Sequence, residues 1–181
     1  MTEQIIHPFI TYLQGLPQKQ DRGALAALRR GLGQPPGTTA EMYRYVEPFL
    51  SPGRSRTDET VYYLIASLFA LHPLTTGQGN MGAHMRACDP EQKNSDALER
   101  RFTALLASCF DDLPEYLRQI ISFLKSKEVP VNWNQLFWDL KDWDREDHRV
   151  QKHWANSFWG TFHKDSVKVN NSESVSNPEG E

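Results

Sequence analysis

"DETVYYLIASLFALH", residues 58–72, is the stretch that decides how the rest of the chain must be arranged. Val61, Leu64, Ile65, Leu68 and Leu71 recur at intervals of three and four, the spacing that stacks side chains on one face of an α-helix. That face is wide. The spacing predicts a helix from about 58 to 72 at the centre of the fold, covered by other helices.

The same periodicity continues outward in both directions, and strand-like alternation is almost absent. Toward the N-terminus, 39–50 carries Met42, Tyr43, Val46 and Phe49 before Ser51-Pro52-Gly53. Residues 21–32 read as a helix capped by Asp21, with Leu25, Leu28 and Leu32 on its apolar stripe and Gly31 or Gly33 as its stop. Residues 3–14 place Ile5, Ile6, Phe9, Ile10 and Leu13 on one face before Pro17 interrupts. Beyond the central helix the pattern breaks: Gly77, Gly79 and Gly82 make 72–94 either a loop or a loop that carries a short helix at 81–87. It then resumes with Ser95 as an N-cap ahead of Leu98, Phe102, Leu105 and Leu106. Asp112 caps the next helix, with Pro114 in its first turn and Leu113, Leu117, Ile120, Ile121 and Leu124 on its stripe. Asn132 with Gln135 resembles a capping box before Trp133, Leu136, Leu140 and Trp143. A last helix is expected from about 145 to 161. The chain therefore reads as all-α, a compact multi-helix bundle of about eight helices.

A length of 181 residues suits one domain, expected over 1–164, or two lobes at about 1–75 and 90–164 that share a core. The formal net charge is −3, and the acidic excess lies in 165–181, a polar tail expected to be disordered. Without that tail, acidic and basic residues balance. Cys88 and Cys109 show no metal-type spacing, no signal peptide is recognisable, and no segment is long and apolar enough to span a bilayer. These features point to reduced thiols and a cytoplasmic protein.

The cations are better organised than the net charge suggests. Arg22 and Arg29, seven apart, border the stripe of the 21–32 helix, and Arg30 points elsewhere. Arg100 projects opposite Leu98, Phe102 and Leu105, Arg101 sits on that border, and Arg118 lies opposite the apolar face of the next helix. In the last helix Val150, Trp154 and Phe158 face inward, while Arg145, Arg149 and Lys152 form an outward row. Cations spaced along several rigid helices suit a ladder of phosphates, and arginine's fork bonds phosphate bidentately.

Chemistry is harder to find. The five tryptophans lie between 133 and 159; Trp133, Trp143 and Trp154 fall on apolar stripes as core residues, and Trp138 and Trp159 are candidates for a subunit interface. His84 and Cys88 are four apart, but no second pair completes a zinc site. In "DLKDWDRED", 139–147, the carboxylates alternate with lysine and arginine, as in surface ion pairs. There is no Walker loop and no GxSxG. The residues predict no metal, no cofactor and no enzyme.

The pieces "RGALAALRRG" (22–31), "YRYVEPF" (43–49), "GNMGAHMR" (79–86), "ERRFTALL" (99–106), "LPEYLRQIISFL" (113–124) and "VNWNQLFWDLKDWDREDHRVQKHWANSFW" (131–159) together resemble the CasB small subunit of type I-E CRISPR Cascade complexes. The resemblance implies an all-helical, non-catalytic protein present as two copies, packed against the backbone subunits and the large subunit. It also implies a basic face that holds the crRNA–target region and the displaced single DNA strand of the R-loop. Carried over, Arg29, Arg30, Arg100, Arg101, Arg118, Arg145, Arg149 and Lys152 match the family's cationic positions; Arg22 joins them on pattern alone. The chain departs from the family in its mildly acidic net charge, its tail after 164 and the acids within "DREDHR". The alternative is a helical adaptor that binds only protein, its cations meeting acidic partner surfaces.

Overall fold

The computed structural model describes residues 5–90 and 95–160; the acidic segment 165–181 and its expected disorder lie outside the described residues. Nine α-helices occur among them: α1 (Pro8–Gln18), α2 (Arg22–Arg29), α3 (Tyr43–Val46), α4 (Arg56–Leu71), α5 (Met81–Ala87), α6 (Ser95–Leu106), α7 (Leu113–Ser126), α8 (Trp133–Lys141) and α9 (Arg149–Trp159). The chain is all-α, and its β-type pairing among the described residues is a single parallel bridge between Thr75 and Val131.

Helix α4 is the axis. Ser55 caps it by accepting from the Asp58 N–H at 3.0 Å, and Asp58 and Glu59 complement the positive end of the helix dipole. Every residue from Val61 to Ala70 is buried, so α4 is enclosed all round rather than on one wide face. Helices α2, α3, α7 and α8 pack against it. The buried side chains of all nine helices join one hydrophobic cluster. Each large apolar side chain in it stabilises the fold by about 1.5–3 kcal/mol relative to an exposed one.

Boundaries differ from the periodicity wherever a local backbone constraint overrides it. Helix α1 begins at Pro8 with the His7 ring as its cap, so Ile5 and Ile6 remain exposed instead of extending the stripe. The expected helix at 39–50 is three short pieces, 3-10 turns at Ala40–Met42 and Glu47–Phe49 flanking α3, and α3 ends at Val46 because Pro48 has no N–H to continue the ladder. Helix α9 starts at Arg149, four residues later than expected, since His148 takes a left-handed φ of 49° and 142–148 forms turns. Asp112 makes no cap bond; its carboxylate accepts from the Cys109 thiol at 3.1 Å. Only half of the expected capping box forms. Asn132 accepts from the Gln135 N–H at 3.1 Å, but Gln135 turns to Asp139 and the Asn132 N–H donates to the His84 ring at 3.0 Å.

The segment after α4 is fastened at several points, and the expected short helix at 81–87 is present as α5. The Thr76 N–H donates to Val131 O, the Val131 N–H to Leu74 O and the Trp133 indole to Leu74 O, at 3.1, 3.2 and 3.2 Å. His72 Nε2 lies 2.7 Å from Val129 O. Helix α5 then presses on α9 so closely that a Cβ at Gly82 would sit 1.9 Å from the Trp154 carbonyl oxygen. Across that contact Asn80 donates to Ser157 at 2.9 Å, and on the α8 side of α9 the Trp154 indole donates to the buried Asp139 carboxylate at 2.6 Å.

This packing has two measurable consequences. Gly82→Ala will lower the unfolding temperature by forcing α5 and α9 apart, at a cost of about 1–3 kcal/mol, whereas Gly15→Ala, with open space at its Cβ, will gain about 0.5–1 kcal/mol; thermal melts distinguish them. Burial lowers the His84 pKa from 6.5 to about 4. The folded state therefore binds fewer protons than the unfolded chain across that window. Stability is full above pH 6.5 and declines toward pH 4, by about 2 kcal/mol between pH 7 and 5. Denaturant titrations should show His84→Gln flattening that decline.

Candidate nucleic-acid interface

Helices α6 and α7 pack side by side, and their apolar stripes decide which side chains are left outside. Leu98, Phe102 and Leu105 of α6 are buried, which turns Arg100 and Arg101 outward; Leu113, Leu117, Ile120, Ile121 and Leu124 of α7 are buried, which leaves Arg118, Gln119 and Ser122 facing out and Tyr116 half-buried against the core at the groove's edge. Between the two helices lies an open groove of about 580 Å3, lined by Arg100, Arg101, Tyr116, Arg118, Gln119 and Ser122 among others. Toward the C-terminus of α7 it meets a hollow of about 220 Å3 that shares Arg101 and adds Phe123 and Lys127. The Arg101 guanidinium lies 5.1 Å from the Phe123 ring centroid and the Lys127 ammonium 6.0 Å from the same ring. An aromatic face between two cations holds both in place while leaving their hydrogen-bond donors open. Lys127 escaped the sequence reading; its signal is the i, i+4 spacing from Phe123 on the border of the stripe.

Of the nine predicted cations, Arg100, Arg101 and Arg118 meet in this groove. The other six stand on α2 and on or just before α9, which pack mainly on α1 and α4 and on α5. Arg22 is exposed and pairs with no described residue. Arg29 donates through Nε and Nη2 to the Ala70 carbonyl at 3.1 and 2.8 Å, closing one of the free carbonyls in the last turn of α4. Arg30 pairs with Glu41 at 3.0 Å. The expected outward row of Arg145, Arg149 and Lys152 is interrupted, since Arg145 precedes α9 and lies 3.6 Å from Asp147. Arg149 pairs with Asp142, and Lys152 donates to the Asp147 carbonyl at 2.9 Å. The turn at 142–148 thus folds its carboxylates and carbonyls back on the cations that follow it.

The polar residues weighed as a metal pair or as surface ion pairs have internal partners, and Asp139 is buried instead of lying at the surface. Asp139 accepts from Gln135 at 2.8 Å and from Trp154, and burial raises its pKa. The Cys88 thiol donates to the His84 carbonyl at 3.5 Å, and burial pushes it up to about 11. Among the described residues no group of three or more His, Cys, Asp or Glu is placed to hold a metal ion, and no helix is long and apolar enough to cross a membrane. Trp133, Trp143 and Trp154 are buried as expected; Trp138 is 43% exposed, and Trp159 meets Phe102 at a tilt and Phe158 edge to face.

Fold and groove together define a small helical protein whose most organised polar surface is cationic and open. A family model described as CRISPR-associated protein Cse2 matches residues 24–159. A curated CRISPR-associated protein Cse2 from Thermus thermophilus is 35% identical over 155 residues, covering 84% of this chain and 88% of that protein. The crystal structure of CasB from Thermus thermophilus is 31% identical and superposes with a TM-score of 0.74 over 84% of this chain and 96% of that one. This chain belongs to the Cse2 family of CRISPR-associated proteins, whose members include the CasB proteins. A chain from a structure described as a CRISPR RNA-guided surveillance complex, 21% identical, shares the fold with a TM-score of 0.73 over 89% of this chain and 99% of that one.

Because Arg29 closes the end of α4, Arg29→Ala is expected to cost about 1 kcal/mol in thermal or denaturant unfolding. An unchanged unfolding midpoint would reverse that assignment.

Proposed function

We propose that this protein is the non-catalytic small subunit of a CRISPR RNA-guided surveillance complex, and that its α6/α7 groove holds nucleic-acid backbone. Family membership and the shared fold with a chain of such a complex support the setting. The observation that carries the nucleic-acid reading is the meeting of Arg100, Arg101 and Arg118 from two helices in one open groove, with Tyr116 beside them. Guanidiniums bond phosphate oxygens without reading sequence, and an aromatic ring offers a stacking face to any base.

The ligands expected there are the displaced single strand of the R-loop and the crRNA–target region. R-loop formation exchanges a DNA duplex for a hybrid of similar stability, so contacts worth a few kcal/mol shift the balance. A weak and sequence-blind groove is adequate for that task. The backbone subunits, the large subunit and a second copy of this chain are the protein partners. Exposed Trp138, 5.5 Å from the His7 ring, with exposed Ile5 and Ile6 just before His7, gives them an apolar surface on which to seat.

Titration of the purified protein with a 20-nucleotide oligo(dT) at several salt concentrations tests the groove. Arg100→Ala and Arg101→Ala should each weaken binding equally for all sequences and lower the salt slope by about 0.7 per lost phosphate contact. Absence of any shift at low salt would favour the protein-only adaptor.

A further inference from the structure

The groove carries its own competitor. Glu115, in the first turn of α7, grips the Arg118 guanidinium with both carboxylate oxygens: Nη2 lies 2.9 and 3.1 Å from Oε1 and Oε2, and Nε 3.3 Å from Oε2. Gln119 steadies the same carboxylate, donating from Nε2 to Oε1 at 2.9 Å. The helix dipole favours an anion at this position. Hydrogen bonding from Arg118, then from Gln119, lowers the Glu115 pKa below its ordinary value. The carboxylate is therefore charged and in place throughout the neutral range. Arg100 and Arg101 form no ion pair with a described residue, although Asp89 lines the same hollow as Arg101.

We infer that Glu115 sets the affinity of the groove, because a phosphate takes the Nε/Nη2 edge of Arg118 only by exchanging with the Glu115 carboxylate, and one that bonds the Nη1 end meets a guanidinium whose charge Glu115 already offsets. This rests on the reading of the groove as a phosphate-binding surface. Both faces of the exchange are open, since the side chains of Arg118 and Glu115 are 42% and 54% exposed. Glu115 borders the neighbouring cleft between 33–38 and 110–115, while Arg118 lines both the groove and the hollow beside Pro114, so the ion pair stands on the ridge between them. Binding phosphate releases a cation from the nucleic acid, but the freed carboxylate recruits one back. An Arg118 contact made by exchange thus adds little to affinity and little to the salt slope. Arg100 and Arg101 contribute their full share, and Arg118 acts as a muted third contact.

A double-mutant cycle on oligo(dT) binding tests this, with Glu115→Gln, Arg118→Gln and the double variant measured across salt concentrations. Glu115→Gln should tighten binding about two- to fivefold, the scale of an exposed ion pair, and steepen the salt slope by up to about 0.7. Arg118→Gln alone should change little, yet in the Glu115→Gln background it should remove the whole gain. An equal gain in the presence of Arg118→Gln would overturn the exchange, since Glu115 would then act only through its general negative field. So would an unchanged affinity and slope in a Glu115→Gln variant that still needs Arg100 and Arg101. If the Arg100→Ala/Arg101→Ala protein binds like the parent, the groove reading itself fails and the inference with it.

Discussion

The whole structure depends on enclosing α4. Ten consecutive buried residues, Val61 to Ala70, cannot face water on any side, so the chain must supply helices around the full circumference. Helices α2, α3, α7 and α8 do so directly, and the remainder extend the same cluster outward. The ends of α4 need equal care, because the terminal N–H and C=O groups of a buried helix have no internal partner. Ser55 serves the first end; Arg29 and the backbone N–H of His72 serve the second. A residue that looked like a surface cation is in this way committed to the architecture.

Enclosure also shapes the surface. Once α6 and α7 turn their leucines and isoleucines inward, their arginines have one direction left to point, and two adjacent helices doing so create a groove. The groove is a by-product of amphipathic packing, which explains how it forms without a dedicated loop. Carboxylates from nearby turns and first helical positions moderate its charge and that of arginines elsewhere on the surface: Glu115 on Arg118 in the groove, Glu41 on Arg30 and Asp142 on Arg149 outside it. A protein of near-neutral charge can then present local positive surface while keeping the long-range field small.

Much of the fold was legible because helical periodicity is a local signal. Leu98, Phe102 and Leu105, or Leu117, Ile121 and Leu124, declare their faces by spacing alone, and burial obeys them. Asp21 caps α2 as expected, since an N-cap needs only the three residues after it. Two misses have equally local causes: Pro48 ends α3 early, and His148 in a left-handed conformation delays α9.

The sequence by itself determined the all-helical class, the core-facing stripes and the family resemblance, because each is a matter of side-chain type at fixed intervals along the chain. Tertiary structure alone decided which arginines share a surface. Arg29 lies 41 positions from Ala70 and Arg100 lies 18 from Arg118, and no periodicity reveals that the first pair meets as a helix cap and the second across a groove. Hydrogen bonds and ion pairs act over a few ångströms in space, whereas sequence records only separation along the chain, so the partner of each charge appears only once the helices are packed.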